Sequence, residues 1–308
     1  MKYLKLIRYQ NLIMLAFMQL IFRYGFTNQQ NIGLSLANWQ YLLLVLSTVC
    51  IAAGGFIIND IFDVETDTEN KPNKVIIGKS ISESFAYNLY GAFTIIGVGI
   101  GFYLSNVIEK PGFAAIFVVI AATLYLYATS LKQSLIIGNV IIAILLSFSV
   151  IIIGIYDLYP ATFDGNQKIM GLIFGILVDY AIFTFILNFI REIVKDLEDI
   201  NGDYNQGMST LPIVFGKERT SKLVFILSFI PIICILYYIN FYVFSSGLLI
   251  STIYGLVFIL APLVYFTVKV WSAKTQENYH HLSNVLKLVL FFGILSIAII
   301  SYNIRNHA

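Results

Sequence analysis

The chain has 308 residues, of which 58% are hydrophobic and 12% charged, with a formal net charge of +2, whereas an ordinary soluble domain carries about 25% charged residues. This excludes a water-soluble fold, and without a stripe of Lys and Arg among exposed aromatics it excludes nucleic-acid binding as well. Cys50 and Cys234 lie in separate apolar runs and make neither a metal nor a redox spacing.

Apolar stretches near the roughly 20 residues needed to cross a bilayer occur at 10–26, 40–58, 85–106, 112–130, 135–156, 169–190, 223–244, 248–268 and 285–303. They predict an all-α, polytopic membrane protein with nine transmembrane helices. No stretch between them is long enough to bury its own core, so 1–308 reads as a single membrane-embedded domain. The first span is the weakest, because Gln10, Asn11, Gln19 and Arg23 interrupt it. Lys2, Lys5 and Arg8 precede it with no small-residue cleavage site after it, which predicts an uncleaved helix rather than a signal peptide. Pro231 and Pro262 fall inside spans and predict kinks. With a cytoplasmic N-terminus, Arg23, Lys110, Lys168 and Arg305 are the only Lys or Arg outside, a strong positive-inside bias. That orientation puts the two longest loops, 59–84 and 191–222, on the cytoplasmic face.

The first of these loops opens with Asn59-Asp60-Ile61-Phe62-Asp63-Val64-Glu65-Thr66-Asp67 at the end of the second span. If the helix continues for two turns, Asp60, Asp63 and Asp67 stand at i, i+3 and i+7 on one face. Downstream, a short loop carries Tyr125, Tyr127 and Lys132, readable either as an interfacial anchor or as a substrate contact. Asp179, in the middle of the sixth span, is costly in lipid and is expected to face the bundle interior, as a functional group or as a protonated packing residue. The second long loop holds Asp196, Asp199 and Asp203, again at i, i+3 and i+7, with Arg191 and Lys195 beside them. Arg191 is either a membrane-surface anchor or a fork for phosphate oxygens. Asn11 serves equally well as a helix-to-helix bond or a ligand contact. His280 and His281 read as solvated loop residues without metal-ligand spacing.

Three carboxylates on one helical face repel one another. Solvated acidic faces are the ordinary meaning of such a run, but one spacing repeated at the same depth on the same side points to a shared cationic partner. Mg2+ fits, since it takes oxygen ligands from one or two carboxylates and completes its shell with water and substrate phosphate. Two such clusters facing each other would clamp a diphosphate through bridging metals. The repeat also hints at two related halves.

These residues resemble the UbiA-type intramembrane prenyltransferases. NDIFDVETDTENKPNK at 59–74 is similar to that family's first aspartate motif and its Asn-Arg-Pro segment, and REIVKDLEDINGDYNQGMSTLPIVFGK at 191–217 is similar to its second. YATSLKQ at 127–133 resembles the family's Tyr and Lys loop. The resemblance implies a ring of helices around a central cavity, with the prenyl tail running down into the membrane. It implies catalytic roles for Asp60, Asp63, Asp196 and Asp199, and Mg2+ ligands among Asp60, Asp63, Asp67, Asp196, Asp199 and Asp203. Asn11, Asn59, Lys74, Tyr127, Lys132, Arg191 and Lys195 become candidate substrate contacts. Lys71 and Lys74 replace the usual arginines, and Lys lacks the bidentate fork.

The partners so implied are a prenyl diphosphate, geranylgeranyl diphosphate favoured, a lipophilic acceptor and the membrane lipids. The second motif is most similar to enzymes that alkylate a glycerol-phosphate hydroxyl. Alternatives are an aromatic quinone precursor or haem as acceptor, cyclisation or hydrolysis of the cation without an acceptor, and a transporter whose acidic loops collect divalent cations.

Overall fold

The computed structural model describes residues 2–70, 72 and 75–307, the side chain of His307 excepted. Among them every regular element is a helix, apart from one isolated bridge between Ile77 and Ile81. Helix α1 is α-helical over Tyr9–Leu20 and continues as a π-helix over Ile21–Phe26. Then come α2 (Asn38–Phe62), α3 (Glu83–Val107), α4 (Pro111–Thr129), α5 (Ile137–Ala161), α6 (Gln167–Asn205), α7 (Lys217–Phe244), α8 (Leu249–Ser272) and α9 (Gln276–Asn306). The chain is thus an integral, multi-pass membrane protein.

The eight helices α2 to α9 are long and apolar enough to cross a membrane. Helix α1, expected as the weakest of nine, falls short because its polar residues dilute it. Those polar residues are put to use in packing. Buried Gln19 donates from Nε2 to the Ser149 carbonyl at 3.1 Å and accepts from Thr48 Oγ1 at 2.8 Å, tying α1 to α5 and α2. Lipid tails supply no hydrophobic drive between helices, so close packing and such bonds hold the bundle. Ser47 Oγ donating to the Gly97 carbonyl at 2.6 Å joins α2 to α3 in the same way.

Two large apolar cores follow the chain. One gathers Phe22, Tyr41, Leu104, Phe117, Tyr156 and Leu177 from α1 to α6, and the other Leu187, Val194, Leu263, Phe266 and Leu286 from α6 to α9. A smaller cluster of Leu6, Ile57, Ile58, Ile61 and Ile81 lies under the first acidic motif.

Both expected kinks have visible causes. Helix α7 breaks at Ser228, three residues before Pro231, and a π-helix over Gly255–Leu260 precedes Pro262 in α8. A proline offers no N–H to the preceding turn, so the helix rewinds there.

Three expectations are corrected. The second acidic motif is not in a loop: α6 runs unbroken through 39 residues, so Arg191 to Asp203 lie on a helix. The first motif does turn, since α2 stops at Phe62 and Asp63 (φ −95°, ψ 2°) separates it from a short helix over Val64–Asn70. Asp179 does not face the interior; it is exposed, because Ile173, Leu177 and Ala181 bury the opposite side of α6.

Candidate active site

The polar ends of α1, α2, α4, α6 and α9 surround a chamber of about 870 Å³. Asn59, Asp60, Asp63 and Asp67 line it from the first motif, and Asp196, Asp199 and Asp203 from the second. The turn at Asp63 does not scatter the first set, because the winding continues through it: Asp63 N donates to the Asn59 carbonyl at 2.9 Å and Asp67 N to the Asp63 carbonyl at 2.7 Å.

The motifs are also joined directly. Asn70 donates from Nδ2 to the Asp199 carbonyl at 2.9 Å and accepts from the Gly202 N–H at 2.8 Å, clasping the α6 backbone with one amide. Gly202 is needed for this, since a Cβ there would strike the Asn70 amide.

Each acidic element meets cations from elsewhere in the chain. Lys132, on the short turn Leu131–Gln133, forms an ion pair with Asp63, which also accepts from Asn59 Nδ2. The turn folds tightly onto α5 because residue 138 is glycine: a Cβ there would lie 2.9 Å from the Leu131 carbonyl oxygen. Arg8 Nη2 reaches Asp60 Oδ1 at 2.6 Å and its guanidinium lies over the Phe56 ring. Its backbone is left-handed (φ 49°), separating the short helix Lys2–Leu6 from α1. That conformation costs a non-glycine residue about 1 kcal/mol, and here it aims the side chain at the chamber. Burial alone would lower the Arg8 pKa, but Asp60, Asp63 and Asp67 more than offset it, so its pKa is raised.

On α6, Lys195 Nζ donates to both Glu192 carboxylate oxygens at 2.8 and 3.1 Å, and Asn139 Nδ2 donates to Asp196 Oδ2 at 2.8 Å. Arg191 sits 3.8 Å from Glu192 and donates from Nε to the Ser283 carbonyl at 3.3 Å. Asn11 accepts from Lys287 Nζ at 2.6 Å. Tyr127 faces the chamber, while exposed Tyr125 packs against Phe62 and Tyr90 on the outer side.

The structure therefore brings Asn11, Asn59, Tyr127, Lys132, Arg191 and Lys195 together with all six motif aspartates. Lys71 and Lys74 lie outside the described residues. Sequence reasoning missed Asn70, Asn139, Glu192 and Lys287 as members of this site. It also misplaced His280, which sits on α9 with Nδ1 3.0 Å from Glu198 Oε1 rather than in a solvated loop. The neighbouring His281 is also on α9, where its Nε2 lies 3.0 Å from the Tyr265 hydroxyl.

Among the described residues, no three acidic, His or Cys side chains form a ready-made metal cage. The donor set nevertheless suits a hard divalent cation, being oxygen throughout, and the buried Asn59 Oδ1 has no hydrogen-bond partner. Such an ion would be held by one or two carboxylates from each motif and completed by phosphate oxygens.

Below the chamber lies a second cavity of about 320 Å³, walled by Leu15, Met18, Ile51, Phe117, Leu145 and Ile294 among others. Arg8, Asn11, Asn59, Tyr127, Arg191 and Lys287 belong to both, so the charged chamber opens into the apolar one. Fold and site together define an intramembrane enzyme for an amphiphile with an anionic head and a long hydrocarbon tail.

Comparison with known proteins places the chain within one such class. The UbiA prenyltransferase family profile matches residues 24–302. The chain belongs to the UbiA prenyltransferase family. A digeranylgeranylglyceryl phosphate synthase of Methanosphaera stadtmanae is 29% identical over 269 residues, which is 85% of this chain and 88% of the relative. A solved digeranylgeranylglyceryl phosphate synthase has the same fold, with a TM-score of 0.64 at 23% identity over 97% of each chain. A UbiA homolog from Archaeoglobus fulgidus, solved bound to GPP and Mg2+, matches with a TM-score of 0.58 at 18% identity, covering 96% of this chain and 99% of its own.

Proposed function

We propose that this prenyltransferase moves a geranylgeranyl group from its diphosphate to the hydroxyl of a glycerol-phosphate ether lipid, in a Mg2+-dependent reaction at the chamber between the two acidic motifs. The observation that carries this reading is the continuity of the two cavities, one charged and one apolar, through a shared rim. The names of the relatives favour the glycerol-phosphate acceptor over a quinone precursor or haem. The bias of Lys and Arg favours a cytoplasmic N-terminus and a cytoplasmic chamber. The segments 59–74 and 191–217 act as counterparts from two related halves of one domain, with α1 counted as a ninth span.

When bound, Mg2+ supplies positive charge to the diphosphate as it departs. Lys132 and Lys195 add fixed cations there, and the walls of the apolar cavity exclude water while the allylic carbon is exposed. Asp60, Asp63, Asp196 and Asp199 hold the metal-bound head at the rim, and Asn11, Asn59 and Tyr127 orient it.

Purified protein in lipid nanodiscs, given Mg2+, geranylgeranyl diphosphate and a panel of acceptors, tests the assignment. An ether product from geranylgeranylglyceryl phosphate is expected; transfer only to an aromatic acceptor would refute it.

The apolar cavity sets donor length. Ala52 lines it on α2, two turns and about 10 Å below Asn59. Ala52→Phe is expected to lower kcat/KM for geranylgeranyl diphosphate at least about tenfold while leaving geranyl diphosphate within a factor of about three, since an overfilled site rejects the longer chain by ~1–3 kcal/mol. Equal losses for both donors would show that the tail does not run along α2.

A further inference from the structure

The cations at the rim are not equivalent. Arg8, Lys132 and Lys195 each have a carboxylate within hydrogen-bond or ion-pair contact: Asp60, Asp63 and Glu192 respectively. Arg191 has only a share in the carboxylate that Lys195 holds, and Lys287 has none among the described residues. Arg191 forms an ion pair at 3.8 Å with Glu192, the carboxylate to which Lys195 already donates at 2.8 Å. Lys287 is half-buried and donates to a neutral amide, Asn11 Oδ1, at 2.6 Å. Arg191, Lys195 and Lys287 all line the rim shared by the two cavities.

The single Glu192 carboxylate faces both Arg191 and Lys195, and Lys287 beside them donates to a neutral amide, so the three cations exceed the charge of the one carboxylate they share. Such an excess calls for an anion. The place matters as well as the charge: Arg191 and Lys287 both line the charged and the apolar cavity, so a ligand held there keeps its head at the rim with a tail below. They come from α6 and α9, whereas Asp60 comes from α2, Asp63 from the residue that ends it, and Lys132 from the turn after α4. Helix α6 also carries Asp196 and Asp199, so it is Lys287 on α9 that draws an anion towards a wall the two acidic motifs do not use.

We propose that Arg191 and Lys287, with Asn11 holding the lysine in place, form a second anion site that binds the phosphate monoester of the acceptor and so selects phosphorylated acceptors over neutral alcohols. This rests on the prenyl-transfer reading above and makes Lys287 a specificity-determining residue. It reassigns Arg191 from the diphosphate to the acceptor.

The test compares wild type with Lys287→Met and Lys287→Arg, using geranylgeranylglyceryl phosphate and the same ether alcohol without its phosphate. Loss of one charge-assisted contact is expected to raise KM for the phosphorylated acceptor at least about tenfold in Lys287→Met. KM for the prenyl diphosphate should rise by much less than that, the preference in kcat/KM for the phosphorylated acceptor over the neutral alcohol should fall, and Lys287→Arg should restore most of it. A rise in the donor KM instead would assign the site to the diphosphate and overturn the proposal, as would unchanged selectivity. Should Lys287→Met fail to fold, glycerol phosphate added to wild type decides: competition against the acceptor supports the site, and competition against the donor alone overturns it. Wild type that transfers prenyl groups to no acceptor would refute the parent reading, an outcome distinct from transfer without phosphate selectivity.

Discussion

Replacing Asp60 or Asp199 by Asn is expected to reduce prenyl transfer by about a hundred- to a thousandfold, the loss of ~3–4 kcal/mol of charge stabilisation from the transition state, with the fold retained. The two residues come from different helices, α2 and α6, and both line the charged chamber. Asparagine keeps the shape of each side chain and leaves Arg8 an amide oxygen to donate to at position 60. What it removes is the negative charge that a divalent cation requires. Steady-state rates across a Mg2+ titration would show this as a lower kcat with a higher Mg2+ requirement. Thermal melting in detergent should stay within a few degrees of wild type. Full activity in both variants would overturn the metal-clamp reading of the two motifs.

The largest effect on stability is expected far from the chamber. Arg23 lies about 22 Å along α1 from Arg8 by helical rise and forms a buried ion pair with Asp157. Asp157 is fully buried; its other oxygen accepts from the Leu36 N–H at 3.0 Å, while Arg23 Nη2 donates to the Leu36 carbonyl at 2.6 Å and its guanidinium lies over the Tyr41 ring. Asp157→Leu would strand a buried guanidinium and a buried N–H together. Breaking a buried pair in this way costs about 3–5 kcal/mol, a large part of a typical total of ~5–15 kcal/mol. The expected result is a drop in melting temperature by many degrees, with transfer activity retained below the new midpoint. The Arg23→Met, Asp157→Leu double variant should recover most of the loss, because replacing both charges by apolar groups removes the uncompensated one. A single variant that melts like wild type would show that the pair contributes nothing.

Much of the site was legible because its signals were periodic or long. The apolar runs located α2 to α9 but stopped well short of the end of α6 and began well after the start of α9, and the two aspartate triplets, read at i, i+3 and i+7, do line one chamber. Where the reading ended the sixth span at residue 190, before Arg191, it followed polarity. Hydropathy marks where a helix leaves the lipid, whereas α6 continues to Asn205 because 191–205 holds no proline and the Asn70 amide clasps its backbone at Asp199 and Gly202. Asp179 was misjudged by a rule about charge in membranes, although the phase of Ile173, Leu177 and Ala181 on the same helix already turned it outward. Asn70, Asn139 and Lys287 were invisible for another reason. Each acts through a partner more than fifty residues away, and a single polar residue carries no pattern that names its partner.

The central claim is transfer of a prenyl group from a metal-bound diphosphate to an acceptor inside the membrane. Pyrophosphate release by the purified protein, measured with geranylgeranyl diphosphate in the presence and absence of Mg2+ and of geranylgeranylglyceryl phosphate, tests it most directly. Release is predicted only when both are present, one pyrophosphate for each ether formed. Release without acceptor, or transfer undiminished by a chelator, would contradict the account.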